Sequence, residues 1–240
     1  FWASGTPLAK ASGCPPNRVN PNGARTRLAD GVVARVDPAP LQLFLIRHGE
    51  TRWSLSGRYT GRTDLPLTAH GEDEACALEP MLRAVPFSHV LTSPARRAQR
   101  TCALAGLGGS AKVEPDLAEW DYGDYEGRTS PDIRQGRPSW NVFRDGCPGG
   151  ESVKAVTLRA DRLIARVAAW RGNVALFSSG QFGCSLAARW IGLPVLQAQH
   201  LMLGTACVSV LACNPAHPGL RVIARWNHAA WRWCTWLVQG

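Results

Sequence analysis

Three short stretches of the chain hold residue types that could act on an anion. Arg47-His48-Gly49-Glu50-Thr51 places an imidazole beside a guanidinium, Thr92-Ser93-Pro94-Ala95-Arg96-Arg97 carries two more guanidiniums, and Ser178-Ser179-Gly180 offers hydroxyls and a glycine. Positive charge next to a histidine disfavours its protonated form and leaves a ring nitrogen able to attack an electrophile. A guanidinium presents a planar fork of donors suited to a phosphate or carboxylate. Taken alone, His48 reads equally well as an ordinary loop histidine.

Each stretch directly follows a segment that reads as a buried strand. Leu41-Gln-Leu-Phe-Leu-Ile46 reads as one, Val90-Leu91 closes a second, and Val174–Phe177 is a third. Helical patterns lie between them. Thr68 is placed as an N-cap before Glu72, Asp73, Glu74 and the spaced apolar residues Ala75, Leu78 and Leu82, with Pro80 expected to kink or end that helix. Ser93-Pro94 reads as the N-cap and first position of a helix running toward Ala105. From Glu151 to Arg171 apolar residues recur every three or four positions, which puts Arg159, Arg162 and Arg166 on the solvent side. Phe182–Ile191 follows as a helix, and Val208–Leu211 and Arg221–Ala224 as late strands. Alternation of this kind predicts an α/β fold, a three-layer α/β/α sandwich around a mostly parallel central sheet. In such sheets ligands bind beyond the carboxyl ends of the strands, where the three stretches lie.

Composition narrows the partner. The formal charge is +9, of which residues 1–40 carry +3 and residues 41–227 carry +5, dispersed among acidic neighbours. No Lys/Arg run interleaves with aromatic residues, so a nucleic-acid groove is a poor reading and a small anionic substrate a better one. The longest apolar runs fall far short of the roughly 20 residues that cross a bilayer, which argues against a membrane partner. Eight scattered cysteines form no CxxC pair and read as free thiols of a cytoplasmic protein. The six histidines are too far apart for a metal site, and no cofactor is expected. Residues 1–40, rich in Pro, Gly, Asn and Arg, read as a disordered extension; residues 41–227 form the domain, and 228–240 a Trp-rich tail. Homo-oligomer formation stays open.

The segment Leu45-Ile-Arg-His-Gly-Glu-Thr51 resembles the signature of the histidine phosphatase superfamily, the phosphoglycerate-mutase-like enzymes. The likeness continues through Gly57-Arg-Tyr-Thr-Gly-Arg-Thr-Asp-Leu-Pro-Leu-Thr68 with Gly71, Leu91-Thr-Ser-Pro94 with Arg97, Glu119-Trp-Asp-Tyr-Gly-Asp-Tyr-Glu-Gly127 and Trp140–Ser152. These motifs resemble the sugar-phosphatase branch that includes sedoheptulose 1,7-bisphosphatase. The resemblance implies a phosphomonoester hydrolase acting on a small phosphorylated sugar or sugar bisphosphate, without a metal. It implies His48 as nucleophile and phosphohistidine, Arg47 and Arg97 as phosphate ligands, and Glu119 as the acid, its proton affinity raised by apolar enclosure near Trp120. Thr60, Gly61 and Tyr122 match positions that line the substrate pocket.

One junction departs from the pattern. The branch has His-Gly-His-x-x-Arg where this chain reads Ser179-Gly180-Gln181-Phe182-Gly183-Cys184. Ser179 stands at the second catalytic histidine and Cys184 at a substrate-binding arginine, while Gly204 takes the place of an Asp. Activity weakened at Ser179 is one expectation, and a non-catalytic descendant that binds phosphosugars or partners is the alternative. A serine hydrolase is a poor third, since no Gly-x-Ser-x-Gly occurs.

Overall fold

The structure, a computed structural model, describes residues 39–229, so the readings of residues 1–38 and 230–240 lie outside the described residues. Six strands form one sheet: β1 (Gln42–Arg47), β2 (Phe87–Thr92), β3 (Ala111–Val113), β4 (Asn173–Ser178), β5 (Cys207–Asn214) and β6 (His217–Ala229). Their order is β3-β2-β4-β1-β5-β6. The first four are mutually parallel. β5 runs antiparallel to β1, and β6 antiparallel to β5. The expected mostly parallel sheet therefore carries an antiparallel flank.

Helices α1 (Arg52–Leu55), α2 (Ala69–Cys76), α3 (Glu79–Arg83) and α4 (Arg96–Leu104) fall before β3. α5 (Ser130–Gly136), α6 (Val142–Asp145) and α7 (Val153–Val167) precede β4, and α8 (Gly180–Trp190) follows it. The period-two alternation of the central strands sends side chains into two cores. Leu43, Leu45, Val174 and Leu176 pack with Ala160, Leu163 and Val167 of α7 and with Phe182 and Leu186 of α8. Ile46, Ala175 and Phe177 pack on the opposite face with Leu78, Leu82, Ala98 and Cys102. This is the expected α/β/α sandwich. Each fully buried Leu or Ile contributes about 1.5–3 kcal/mol from burial, so the two strands that end at the candidate site are also the most firmly held.

Several local expectations hold. Thr68 caps α2 by accepting the Gly71 N–H at 3.0 Å, and the helix read from Glu151 to Arg171 is present as α7, shorter at both ends. Pro80 falls in the first turn of a new helix, α3, where its missing N–H costs nothing. Others need correction. α4 starts at Arg96 and not at Pro94, because Asp64 reaches across to accept the Arg96 N–H at 2.9 Å, while Ser93 Oγ accepts only from Ala95. The late strand read at 221–224 runs from His217 to Ala229, past the domain edge placed at 227, with His228 and Ala229 paired to Val208 and Cys207.

Arg159 is the largest correction. It is buried, not solvated. Its guanidinium donates to the carbonyls of Asp116 (3.0 Å), Ala118 (2.6 Å) and Glu119 (3.4 Å), pairs with the Glu151 carboxylate at 2.7 Å, and lies 4.2 Å from the centroid of the Phe182 ring. The helical period of α7 puts Arg159 beside Val156 and Leu163, and the loop 114–119 folds over that face, so an arginine there meets carbonyls in place of water. Replacing Arg159 with Met leaves those carbonyls and Glu151 unpaired, a change worth about 3–5 kcal/mol. The melting temperature of Arg159→Met is expected to fall by at least about 6 °C, at roughly 2–4 °C per kcal/mol for a domain of this size. A fall under 2 °C would show that the loop does not depend on this side chain.

Candidate active site

The loop after β1 begins with Arg47 and His48. His48 N–H donates to the Ser178 carbonyl at 3.0 Å, which ties it to the end of β4. A second tie is a close backbone approach: a Cβ on Gly49 would lie 2.2 Å from the Gly71 oxygen, and one on Gly71 would lie 2.2 Å from the Glu50 oxygen. Only glycine at both positions lets the loop lie on the start of α2.

His48 is 4% exposed. Its Nδ1 lies 2.7 Å from the Gly49 carbonyl, which only accepts, so Nδ1 carries the proton and Nε2 keeps its lone pair. Burial is the largest cause holding its pKa well below the usual 6.5, with Arg97 and then Arg47 adding repulsion. The expected guanidinium effect is thus present and second to desolvation.

Arg47 donates from Nη1 to the Leu203 carbonyl at 2.6 Å. Arg97 is fully buried and donates to the carbonyls of Thr63 (3.0 Å), Thr60 (2.9 Å) and Gly61 (3.1 Å). Both keep a buried Nε with no partner, and the Ser179 hydroxyl is buried and unpartnered too. Buried polar groups are normally paired. These three atoms and Glu126 Oε2 are the buried side-chain polar atoms without a partner among the described residues.

Glu119 is 8% exposed. The enclosure expected from Trp120 is built from backbone donors instead. Its Oε1 accepts from Trp120 N–H (2.8 Å) and Phe182 N–H (2.7 Å), and Oε2 accepts from Gln181 N–H (3.0 Å). Two of those amides form the first turn of α8, where the helix dipole favours an anion.

Arg47, His48, Glu119, Thr60, Tyr122 and Cys184 line one cavity of about 380 Å³, with Gly180, Gln181 and Ser54. Its outer part holds Arg58, Tyr59, Ser130, Phe143, Gln199, Leu201 and Met202. Arg97 and Ser179 are wholly buried residues just behind this wall. Gly61 is the exception: its amide donates to Glu126 and its carbonyl accepts from Arg97, so it does not line the cavity and offers no amide to a sugar. The Tyr59 and Tyr122 rings meet at a 41° tilt with centroids 4.6 Å apart, and burial raises both phenol pKa values above 10. Cys184 donates to the Leu201 carbonyl at 3.4 Å, and burial pushes its thiol up to about 12, so it meets a ligand as a neutral group.

Tyr59, Gln181, Phe143 and Gln199 were not singled out from the sequence. Tyr59 sits inside a quoted motif and Gln181 in the altered junction, whereas Gln199 lies where no pattern marks it. Larger grooves of about 580 and 660 Å³ lie elsewhere, and neither contains His48 or an unpartnered buried group. Among the described residues no three His, Cys, Asp or Glu side chains converge as a metal ion would require, and no helix is long and apolar enough to cross a membrane.

A mostly parallel sheet whose central strand β1 runs into Arg47 and His48, with the buried Arg97 supplied by α4, defines an anion-handling α/β protein. The family model of the histidine phosphatase superfamily (branch 1) matches residues 43–228, and the chain belongs to that superfamily. It is 40% identical over 187 residues to an acid phosphatase of Mycobacterium tuberculosis, covering 76% of this chain and 90% of the relative. It is 36% identical over 184 residues to sedoheptulose 1,7-bisphosphatase of Saccharomyces cerevisiae, covering 63% and 68%. The solved structure of a Mycobacterium tuberculosis open reading frame superposes with a TM-score of 0.75 at 37% identity, covering 79% of this chain and 98% of that one.

The lowered His48 pKa has a definite sign. Its folded value lies below the 6.5 of an exposed histidine, so its burial costs nothing above that pH and lowers stability progressively as the pH falls below it. Imidazole ¹⁵N NMR is expected to show His48 neutral with its proton on Nδ1 at pH 6.5, titrating well below the usual histidine value. A midpoint at or above 6.5 would contradict the geometry.

Proposed function

We propose that the chain hydrolyses phosphomonoesters through a phosphohistidine at His48. The observation that carries this reading is the set of unpaired buried donors, Arg47 Nε, Arg97 Nε and Ser179 Oγ, in a site whose imidazole keeps its lone pair on Nε2 and feels the charge of both arginines. A phosphoryl group brings negative oxygens that such preorganised donors hold in the transition state.

In the first step His48 Nε2 attacks phosphorus, the N–P bond forms, the P–O bond to the alcohol breaks, and the departing oxygen takes a proton from Glu119. In the second, water attacks the phosphoryl group, Glu119 takes its proton, the N–P bond breaks and phosphate leaves. Arg47 and Arg97 neutralise the equatorial charge in both. Oε1 of Glu119 accepts two N–H bonds and Oε2 one, so Oε2 is the oxygen that would carry the proton.

The substrate we infer is a small sugar phosphate. Ser54, Tyr59, Thr60, Tyr122, Ser130, Gln181 and Gln199 give the cavity a lining rich in neutral polar side chains. The yeast relative named for a sugar bisphosphate supports the same class. Cys184 contributes a neutral thiol where the resemblance implies a guanidinium, so one phosphate is bound strongly and a second is not. Ser179 supplies a neutral hydroxyl in place of a cationic imidazole, and one transition-state donor is worth about 10²–10³ in turnover. Slow turnover follows, in a protein that we place in the cytoplasm.

The test is hydrolysis of a panel of sugar monophosphates. Activity is expected to persist in EDTA and to vanish in His48→Ala. Activity lost in EDTA, or kept in the His48 variant, would overturn the mechanism. Tight substrate binding by a folded wild-type protein with no turnover would support the non-catalytic alternative that the neutral Ser179 suggests.

A further inference from the structure

The Arg97 guanidinium donates to the carbonyls of Thr60, Gly61 and Thr63, so its direction is set by that loop. Residues 60–63 belong to no helix or strand. Before the loop, Tyr59 is tied on both sides, its N–H to the Arg128 carbonyl and its carbonyl to the Gly127 N–H, both at 2.9 Å. After it, Asp64 holds the start of α4. Between these anchors the backbone amides of Gly61 and Thr63 both donate to one atom, Glu126 Oε1, at 2.8 and 3.1 Å. The ion pair of Arg62 with Asp121 adds little, since the arginine side chain is 83% exposed.

The amides and carbonyls of this loop thus point to opposite partners: amides to a carboxylate, carbonyls to a guanidinium. Gly61 fixes the closeness of the arrangement. A Cβ there would lie 2.4 Å from the Trp120 carbonyl and 2.8 Å from Glu126 Oε2. The chain of contacts runs from Glu126 through the loop to Arg97, whose Nε is unpaired and whose charge acts on His48.

We propose that Glu126 is a positioning residue that orients Arg97 through loop 60–63. Its effect on catalysis rests on the phosphatase reading above; its effect on the loop does not. The work is done by Oε1 alone, since Oε2 has no partner. A glutamine can therefore replace it, keeping a carbonyl at Oε1 and losing only the charge. A leucine removes both acceptors at similar size. A displacement of about 1 Å in a catalytic donor can cost on the order of 10²-fold in rate. The loss falls on kcat more than on KM, because the arginine is needed most as charge develops.

The experiment compares full-length wild type, Glu126→Leu and Glu126→Gln by amide hydrogen exchange at Gly61 and Thr63, by the ¹⁵N signal of Arg97 Nε–H, and by kinetics on p-nitrophenyl phosphate. In Glu126→Leu, exchange at both amides is expected to quicken by at least about tenfold. The Arg97 signal should broaden or shift, and kcat should fall by about tenfold or more with KM within about threefold. Glu126→Gln is expected to restore all of these to near wild type. Unchanged exchange in the leucine variant overturns the proposal. So does a glutamine variant as impaired as leucine, because the charge and not the acceptor would then be responsible. Should Glu126→Leu fail to fold, the glutamine variant alone decides by the same two readouts. A wild type that hydrolyses no phosphomonoester removes the phosphatase reading, while exchange and the arginine signal still judge the positioning role.

Discussion

A cluster of positive potential held away from water is the constraint on which the rest of the structure depends. A fully buried guanidinium, Arg97, and a half-buried one, Arg47, act on a buried imidazole, and bringing like charges together out of water is costly unless acceptors surround them. The chain meets that cost mostly with backbone. Arg47 leans on the Leu203 carbonyl and Arg97 on three carbonyls of loop 60–63. Neutral acceptors of this kind offset desolvation without cancelling the charge, so the site keeps its pull on an anion. Burial first and the same field second hold the His48 pKa down, which couples the nucleophile's readiness in part to the arginines proposed to bind its target.

A second arrangement balances the first. The Glu119 carboxylate sits on the N-terminal amides of α8, and Arg159 holds the Glu119 carbonyl while covering the ring of Phe182, whose own amide donates to Glu119. The acid, the helix that follows β4 and the arginine of α7 are therefore one unit. Ser179 lies at its centre, just before α8, with no side-chain capping bond. In the resemblance this is the place of a second histidine, and the unit here persists without it.

Much of this was legible in the chain and some was not, for identifiable reasons. Strands β1 and β4 end where continuous apolar runs give way to polar residues, and Thr68 sits one residue before its helix, so local patterns sufficed. What failed was long-range. The start of α4 is set by Asp64, 32 residues earlier, and no capping rule at Ser93 could register it. Arg159 satisfies the solvent-facing period of α7, and only the fold of loop 114–119 over that face makes it buried. Gly61 was read as a pocket amide because its motif position suggested it, whereas its amide is occupied by Glu126 from 65 residues away. β3 has three residues and no pattern long enough to read. Motif identity located the reacting groups; it did not show which of their polar atoms were already engaged.

The central claim is that the phosphoryl group passes through Nε2 of His48. The most direct measurement is ³¹P NMR of the denatured protein after an alkaline quench during turnover of a sugar monophosphate, followed by acid treatment and peptide mapping. The account predicts one acid-labile N–P species on His48 at Nε2. A protein that turns over without any phosphorylated intermediate, or that carries an acid-stable phosphoserine at Ser179, would contradict it.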